Sequence, residues 1–479
     1  MPVREGGDYR RQAALCGGTE IIMSFINEAP KKVPVIYEAD VCVIGGSCTG
    51  VFAAVRAARL GAKVVIVECQ NSFGGVATNG LVCVWHTFNS TDGKQQVISG
   101  LSEEVMSRFD SVDHVIGNAG SHFFNPTELK CELDRLLTEE KVKMYLHTYY
   151  AGIACDGDTI DAVFVENKDG RGAIKAKFFI DATGDGDLCR DLGIERYENP
   201  KMQPPSYVFL MQGDDEYVKR YVDNEGSDPV THLMNLHTEE LDIERDWGWA
   251  TPIPGINNMK MRANTHVFGG NCAKADDLTR AELVGREKMA KIRTLLRKYG
   301  DPNETYSLVA DCSYIGVRDT YHYKTKMQAD SMELLMGYDY DDCILRGTYN
   351  VDAHDSKDGI SFMQLDGTLI VEDTYGNIKR TNWRAERGLP TDGPMPTFYR
   401  LPFRVLVGER YTNFIAAGRM INAEPSAFGA LRVMVNLNQI GEASGVAAAL
   451  AVEQGKSIQE LDSVEVARKL SAGGSANLG

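Results

Sequence analysis

The stretch "VCVIGGSCTGVFAAVRAARLGAKVVIVE", residues 41–68, decides the fold. Val41, Val43 and Ile44, with Cys42 between them, read as a strand of a parallel sheet, since a strand covered on both faces is apolar without alternation. Gly45-Gly46-Ser47-Cys48-Thr49-Gly50 then turns straight into an Ala-rich helix, and "KVVIV" follows as a second strand ending on Glu68. Gly45 permits the tight turn, and the helix N-terminus behind it points free N–H groups at a pyrophosphate. Gly50 lets the helix lie close to the strand. Ser47 stands where a further glycine is usual; it is small, and its hydroxyl can donate to phosphate. Glu68, about twenty residues on, suits an acceptor for ribose hydroxyls, and its charge disfavours a 2′-phosphate. The stretch predicts a dinucleotide site that does not take NADP.

Composition narrows what surrounds that site. A chain of 479 residues with 43% hydrophobic residues can bury a large core, expected as two joined domains. No apolar run approaches a membrane span, and the first 25 residues lack the continuous apolar stretch of a secretory signal. A net charge of −16 argues against nucleic-acid binding, which needs a positive surface. The eleven cysteines are scattered, with no Cys-x-x-Cys pair. That removes the usual spacing for iron–sulfur clusters, structural zinc and redox pairs, so no metal site is expected and most of the cysteines read as buried residues of a reducing cytoplasm. Cys48 and Cys83 lie next to glycine-rich turns and are read as packing residues.

Along the chain, Gly74, Gly75 and Gly80 in "QNSFGGVATNG" suggest backbone passing close to a flat ligand. "NPTELKCELDRLLTEEKVKMYLHT" reads as an amphipathic helix, with Leu129, Leu133, Leu136 and Leu137 on one face, followed by a strand. Residues 149–188 read as a small antiparallel sheet with turns at Asp156-Gly157-Asp158 and Lys168-Asp169-Gly170, returning through the strand "AKFFIDAT". It ends on a second Gly-Asp turn at 184–187, whose acids are expected to cap a helix and satisfy the turn. The region 200–400 is more polar and irregular, with a helix in "RAELVGREKMAKIRTLLRKYG". Near the end a strand, a Gly418-Arg419 turn and a long Ala- and Gly-rich helix are expected, the helix beginning near Leu431-Arg432. The expected divisions are an extension over 1–35, a discontinuous nucleotide-binding domain over 36–200 and 400–460, a substrate-covering domain over 201–399, and a tail over 461–479.

Four segments, "VIGGSCTG…VVIVE", "GGVATNG", "FFIDATGDGDL" and "NFIAAGRMINAEPSAFGALRVM…GEASGVAAALA", together resemble the FAD-dependent oxidoreductases with the glutathione-reductase-like FAD fold. "YIGVRDTYHY" and "NVDAHD" resemble central stretches of the same family. The chain departs from it at Ser47 and at Tyr321-His322. The resemblance implies an α/β fold: a Rossmann-like FAD-binding domain, with a parallel sheet and a small antiparallel one, plus an inserted mixed α+β domain. It implies FAD contacts at Gly45, Gly46, Ser47, Cys48, Thr49 and Gly50, and at Glu68 and Cys69. Further contacts are implied at Gly74, Gly75, Val76, Ala77 and Thr78, at Tyr150, at Ala182, Thr183 and Gly184, and at Gly418, Arg419, Leu431 and Arg432. Spacing supports FAD as well, because an extended ligand uses both the first turn and the distant C-terminal one. A helix starting near Arg432 would aim its positive end at the flavin N1–C2 edge, with Arg432 adding charge there or pairing with an acid.

With electron chemistry left to the flavin, side chains orient substrate and move protons. Arg318 suits a carboxylate or oxyanion, or else pairs with an acid between domains. His354 is a candidate proton carrier, and His86 follows the flavin-side glycines closely enough to face the ring. The leading reading is an enzyme performing two-electron hydride transfer at flavin N5 on a small organic substrate, together with an electron acceptor or donor. The alternatives are a flavin-binding electron-transfer subunit of a larger redox complex and a monooxygenase. No nucleic-acid or membrane partner is expected, and a homo-oligomer is compatible with the sequence.

Overall fold

The structure, a computed structural model, describes residues 26, 29–219, 228–355, 359–373 and 377–475. The extension expected over 1–35 lies mostly outside the described residues. The first strand, Val35–Ile44, runs in parallel register with Val64–Val67 on one side and Gly170–Asp181 on the other. The sheet continues past Val64–Val67 to Lys143–Tyr145, also parallel. From Val35 onward the chain packs as one unit.

The strand Gly170–Asp181 is long enough to pair with three neighbours within one seven-stranded sheet. Its first half pairs antiparallel with Thr159–Asn167, which pairs antiparallel with Tyr149–Asp156. Its last residues, Phe179 to Asp181, pair in parallel with Phe414–Ala416. The antiparallel meander thus peels away and leaves the end of the parallel sheet to the C-terminal strand. Asp181, the last residue, is fully buried and organises the turn that follows. Its Oδ1 accepts from the Thr183 hydroxyl at 2.7 Å, and its Oδ2 accepts from the N–H groups of Leu188 and Cys189. So Asp181 caps the short helix Asp187–Asp191, while Asp185 pairs with Arg419 and Asp187 with Arg190, which corrects the expected roles of the two acids.

One face of the sheet carries Val41 and Val43 under the helices Cys48–Arg59 and Met434–Gln454; the other carries Cys42, Ile44, Val65 and Val67. The long C-terminal helix is buried around most of its circumference because it runs through the core, and its polar residues, among them Asn436, Gln439 and Glu442, are buried with it. It meets Cys48–Arg59 almost backbone to backbone: a Cβ on Gly441 would lie 2.2 Å from the Thr49 carbonyl oxygen, and one on Gly445 2.2 Å from that of Ala53. Arg56 and Glu442 form a buried ion pair across this crossing, and Arg56 also donates to the Gly473 carbonyl. The segment expected as a tail therefore differs. Ser463–Ala472 is a helix capped by the Asp462 carboxylate, and buried Ser475 bonds both Arg56 and Glu442.

The central region supplies two four-stranded antiparallel sheets. One orders Ala250–Pro252, Met259–Arg262, Phe209–Gln212 and Ser307–Asp311, backed by the helix Ala275–Tyr299. The other is a meander of Val351–Asp355, Gly359–Met363, Thr368–Glu372 and Ile378–Asn382. The helix Pro126–Glu139 has its four predicted leucines fully buried and an Asn125 side-chain cap.

Candidate active site

The turn that opens the sequence reading is built on close backbone contacts. Gly45 has φ +101°, and a Cβ there would lie 2.3 Å from the Ala182 carbonyl oxygen; a Cβ on Gly50 would lie 1.9 Å from that of Gly45. Only glycine fits either position, so the first strand, the helix and the Asp181 turn are locked together. Gly46 donates its N–H to Glu68 Oε2 at 2.6 Å, and Glu68 Oε1 accepts from the Gln70 N–H and the Cys69 thiol. Glu68, expected as an acceptor for ribose hydroxyls, is thus bonded to the backbone of the turn itself. Ser47 bridges to Gly74, and a Cβ on Gly75 would lie 3.0 Å from the Ser47 Cβ.

These elements form one wall of a cavity of about 530 Å³. Ser47, Cys48 and Thr49 line it, with Gly74 and Val76, and Ala182, Thr183 and Gly184 beside Gly418 and Arg419. A Cβ on Gly184 would meet the Arg419 guanidinium at 2.2 Å, so that arginine lies across the turn toward Asp185. Ten expected contact residues are not on the lining: Gly45, Gly46, Gly50, Glu68, Cys69 and Gly75 belong to the turns that carry it, and Ala77, Thr78, Tyr150 and Leu431 point elsewhere. Ala77 and Leu431 are core residues, Thr78 turns its hydroxyl to the Phe73 carbonyl, and Tyr150 donates to Asp191.

The C-terminal helix starts later than expected. Pro425–Leu431 is a separate helix ending at Arg432, Val433 is extended, and Met434 begins the long helix. Met434, Leu437 and Asn438 line the cavity, so two helix N-termini face it. Arg432 is the residue at the break. It turns to Asp352, donating from Nη2 to Oδ2 at 2.7 Å, which is the acid pairing among the two expected roles.

Asp352 is the centre of the opposite wall. Besides Arg432 it accepts from the Tyr349 hydroxyl at 2.8 Å, and its Oδ1 lies 2.9 Å from His354 Nε2. The last contact follows from strand geometry: residues two apart on Val351–Asp355 share a face. Burial pushes the Asp352 carboxyl up, but His354 and Arg432 outweigh it and hold it below the usual carboxylate range. Burial pushes His354 down, and its Nδ1 is buried without a hydrogen-bond partner. His86 packs on the Tyr349 ring with centroids 4.2 Å apart, and burial lowers it to about 4. His266, bonded to Asp246 at 2.7 Å, places its ring 5.0 Å from that of His354. The cavity thus brings together His86, Arg318 and His354, the three residues singled out in the sequence.

Arg318 donates from Nη1 to the Pro204 carbonyl at 2.7 Å and to the Ser206 hydroxyl at 2.8 Å. It does not pair with its neighbour Asp319, whose carboxylate instead holds His322 and Asn199. Burial, with Arg432 nearby, lowers the Arg318 guanidinium to about 10. Sequence reasoning missed Asp352, Tyr349 and the Asp246–His266 pair. The alternation in "NVDAHD" was the available signal for Asp352, since it puts Asp and His on one face. Among the described residues no group of three or more His, Cys, Asp or Glu is placed to hold a metal ion, and no helix is long and apolar enough to cross a membrane.

Among solved structures, the chain is similar to OxyS anhydrotetracycline hydroxylase from Streptomyces rimosus, with 11% identity and a TM-score of 0.35 over 61% of this chain. It spans 54% of OxyS, about half that protein's length. A geranylgeranyl bacteriochlorophyll reductase-like protein from Thermoplasma acidophilum gives 11% identity and a TM-score of 0.43, covering 91% of this chain and 83% of that one. The p-nitrophenol 4-monooxygenase PnpA from Pseudomonas putida gives 12% and 0.39, covering 91% and 85%. No curated protein sequence matches the chain. Residues 40–470, nearly all of the sequence, match the FAD-dependent oxidoreductase family, and the chain belongs to it as an enzyme with FAD as cofactor.

Proposed function

We propose that this enzyme transfers a hydride between flavin N5 and a small organic substrate that carries an anionic group. The observation that carries the reading is one cavity with two unlike walls: a glycine turn and two helix N-termini on one, and the Arg318–Asp352–His354 cluster on the other. FAD, when bound, supplies the two-electron chemistry at N5. The N–H groups at Ser47–Thr49 suit its pyrophosphate and Glu68 its ribose, while the helix end at Met434 suits the N1–C2 edge. The order of the parallel strands, with an antiparallel meander branching from Gly170–Asp181, supports the glutathione-reductase-like form of the fold.

Arg318 anchors the substrate anion through the part of its guanidinium that Pro204 and Ser206 leave free. His354 moves the proton. With Nε2 facing the Asp352 carboxylate, that nitrogen carries the ring hydrogen and Nδ1 presents a lone pair. Burial keeps the imidazole neutral, so His354 can take a proton from substrate as a base, and Asp352 stabilises the cation that forms. His86 and Tyr349 close the same wall and exclude water. The ten described cysteines are all unpaired, which supports a reducing, cytoplasmic setting, and a separate electron acceptor or donor completes turnover.

The test is direct. The purified protein should be yellow and release FAD, rather than FMN or NAD, on denaturation. After anaerobic photoreduction, a screen of organic oxidants followed by flavin absorbance should find compounds that reoxidise it without oxygen. A protein reoxidised only by oxygen or by a protein partner would overturn the hydride-transfer reading.

A further inference from the structure

We infer that the substrate is an aryl carboxylate, its charge held at Arg318 and its ring lying along the Ile360–Phe362 face of the central meander, within reach of Trp247 and Trp249. The inference rests on the proposed hydride transfer and names the substrate class for that same cavity.

The meander presents two rows of side chains to the cavity. His354 pairs with Ile360, Ile360 with Glu372, and Glu372 with Ile378; beside them Asp352 pairs with Phe362, Phe362 with Ile370, and Ile370 with Arg380. Paired residues of an antiparallel sheet point the same way, and all of these except Ile370 line the cavity. The first row crosses three strand spacings, about 14 Å, from the proton carrier outward. It starts buried, with His354 and Ile360 at 7% and 6% exposure, and ends on Ile378 at 45%. The sheet face is therefore a path from solvent to His354: charged at the inner end, apolar in the middle, and charged again at the mouth with Glu372 and Arg380.

Two indoles line the same cavity. Trp247 and Trp249 flank Gly248, where a Cβ would fall 2.2 Å from the Asn264 Cα, so the backbone is pinned and both rings are held half-buried. Two indoles and the Phe362 ring favour a planar aromatic body over a flexible chain, because offset and edge-on ring contacts add to burial.

The charge count selects the head group. Arg432 and Asp352 neutralise each other. Asp228, also on the lining, caps the helix Pro229–Leu236 and accepts from Asn264. The histidines at the inner end are held neutral by burial. Asp246, the further carboxylate whose charge reaches Arg318, is offset by Lys288, and Arg318 itself donates to the neutral Pro204 and Ser206, so one positive charge remains at the inner end. A single uncompensated guanidinium suits a monoanion, and a carboxylate matches its planar fork.

The probes are 3-phenylpropionate, propionate and 3-phenylpropan-1-ol, titrated into the FAD-loaded enzyme and followed by flavin difference absorbance and tryptophan fluorescence. Trp85 and Trp383 are buried in the core, so the fluorescence change should come from Trp247 and Trp249. The expected result is 3-phenylpropionate binding at least tenfold tighter than either propionate or the alcohol. Phe362→Ala should weaken 3-phenylpropionate at least tenfold and leave propionate unchanged, and Arg318→Ala should abolish the preference over the alcohol. Phe362→Leu and Trp247→Phe provide the same comparison should the alanine variant fold poorly. Equal binding of 3-phenylpropionate and propionate overturns the aryl assignment, and equal binding of acid and alcohol overturns the carboxylate. Photoreduction of the same preparation separates the two levels: a flavin that cycles with organic oxidants while showing no such preference overturns only the substrate class.

Discussion

Gly441→Ala tests whether the two helices that bring their N-termini to the cavity depend on one fixed separation. The added Cβ would lie 2.2 Å from the Thr49 carbonyl oxygen, where ordinary contact begins at 3.4 Å, so the helices must part by about 1.2 Å. Thr49 lines the cavity, and Gly441 lies one turn from Asn438, which lines it too. In an isolated helix the change would stabilise by about 1 kcal/mol, while overpacking a tight core costs about 1–3 kcal/mol. The expected outcome is a net loss of up to about 2 kcal/mol and FAD bound about tenfold more weakly. Gly445→Ala is the control: it makes the same 2.2 Å clash with the Ala53 carbonyl oxygen, but about 6 Å deeper along the helix. It should match the stability loss and largely spare FAD. Urea unfolding of the apoproteins gives the first quantity and quenching of flavin fluorescence the second. A Gly441→Ala protein that is more stable than the parent and binds FAD equally well would refute the reasoning.

Glu68→Ala should weaken FAD by about 1–3 kcal/mol, read by the same quenching, because it removes a charged acceptor that also holds the Gly46 and Gln70 N–H groups. Arg318→Ala should chiefly raise KM, and His354→Ala should lower kcat by about a hundredfold or more with the protein still yellow, in steady-state assays with any substrate the oxidant screen yields. Acid should destabilise the fold early. His86 and His266 are both lowered by burial to about 4, so between about pH 6.5 and 4 the unfolded chain takes up protons that the fold refuses, and the urea midpoint should fall across that window. His266→Gln should flatten the slope.

The first turn, the antiparallel branch and the helix of residues 126–139 were legible because local pattern and tertiary role agree there. Gly45 and Gly50 are required by contacts made within one strand–helix unit and its sheet neighbour. The central meander was not read strand by strand, although Asp366-Gly367 marks one of its turns and Gly367 has φ +94°. Its strands are short and carry charges on the cavity face, so they lack the apolar alternation of a half-buried sheet. The start of the C-terminal helix was misplaced by about one turn, since nothing local in "ALRVMVNL" marks Val433 as extended. The terminal helix did carry a signal, Asp462 before "SVEVARKL", which was outweighed by the Gly- and Ser-rich residues after it.

The position of Arg432 shows why its role could not be read from spacing. Gly429 brings the helix Pro425–Leu431 against the meander: a Cβ there would lie 2.5 Å from the Asp352 carbonyl oxygen. That approach carries the residue just past the helix, Arg432, to the Asp352 carboxylate, while Val433, extended, leads into the helix that faces the cavity. The same break therefore aims a helix N-terminus at one wall and spends the adjacent cation on the other. With Arg432 so committed, the positive end facing the flavin side comes from backbone N–H groups, and the side-chain charge left at the inner end of the cavity is that of Arg318. The proposed anionic substrate would complete the balance there, which would tie the charge of the ligand to a glycine packing contact on the far side of Asp352.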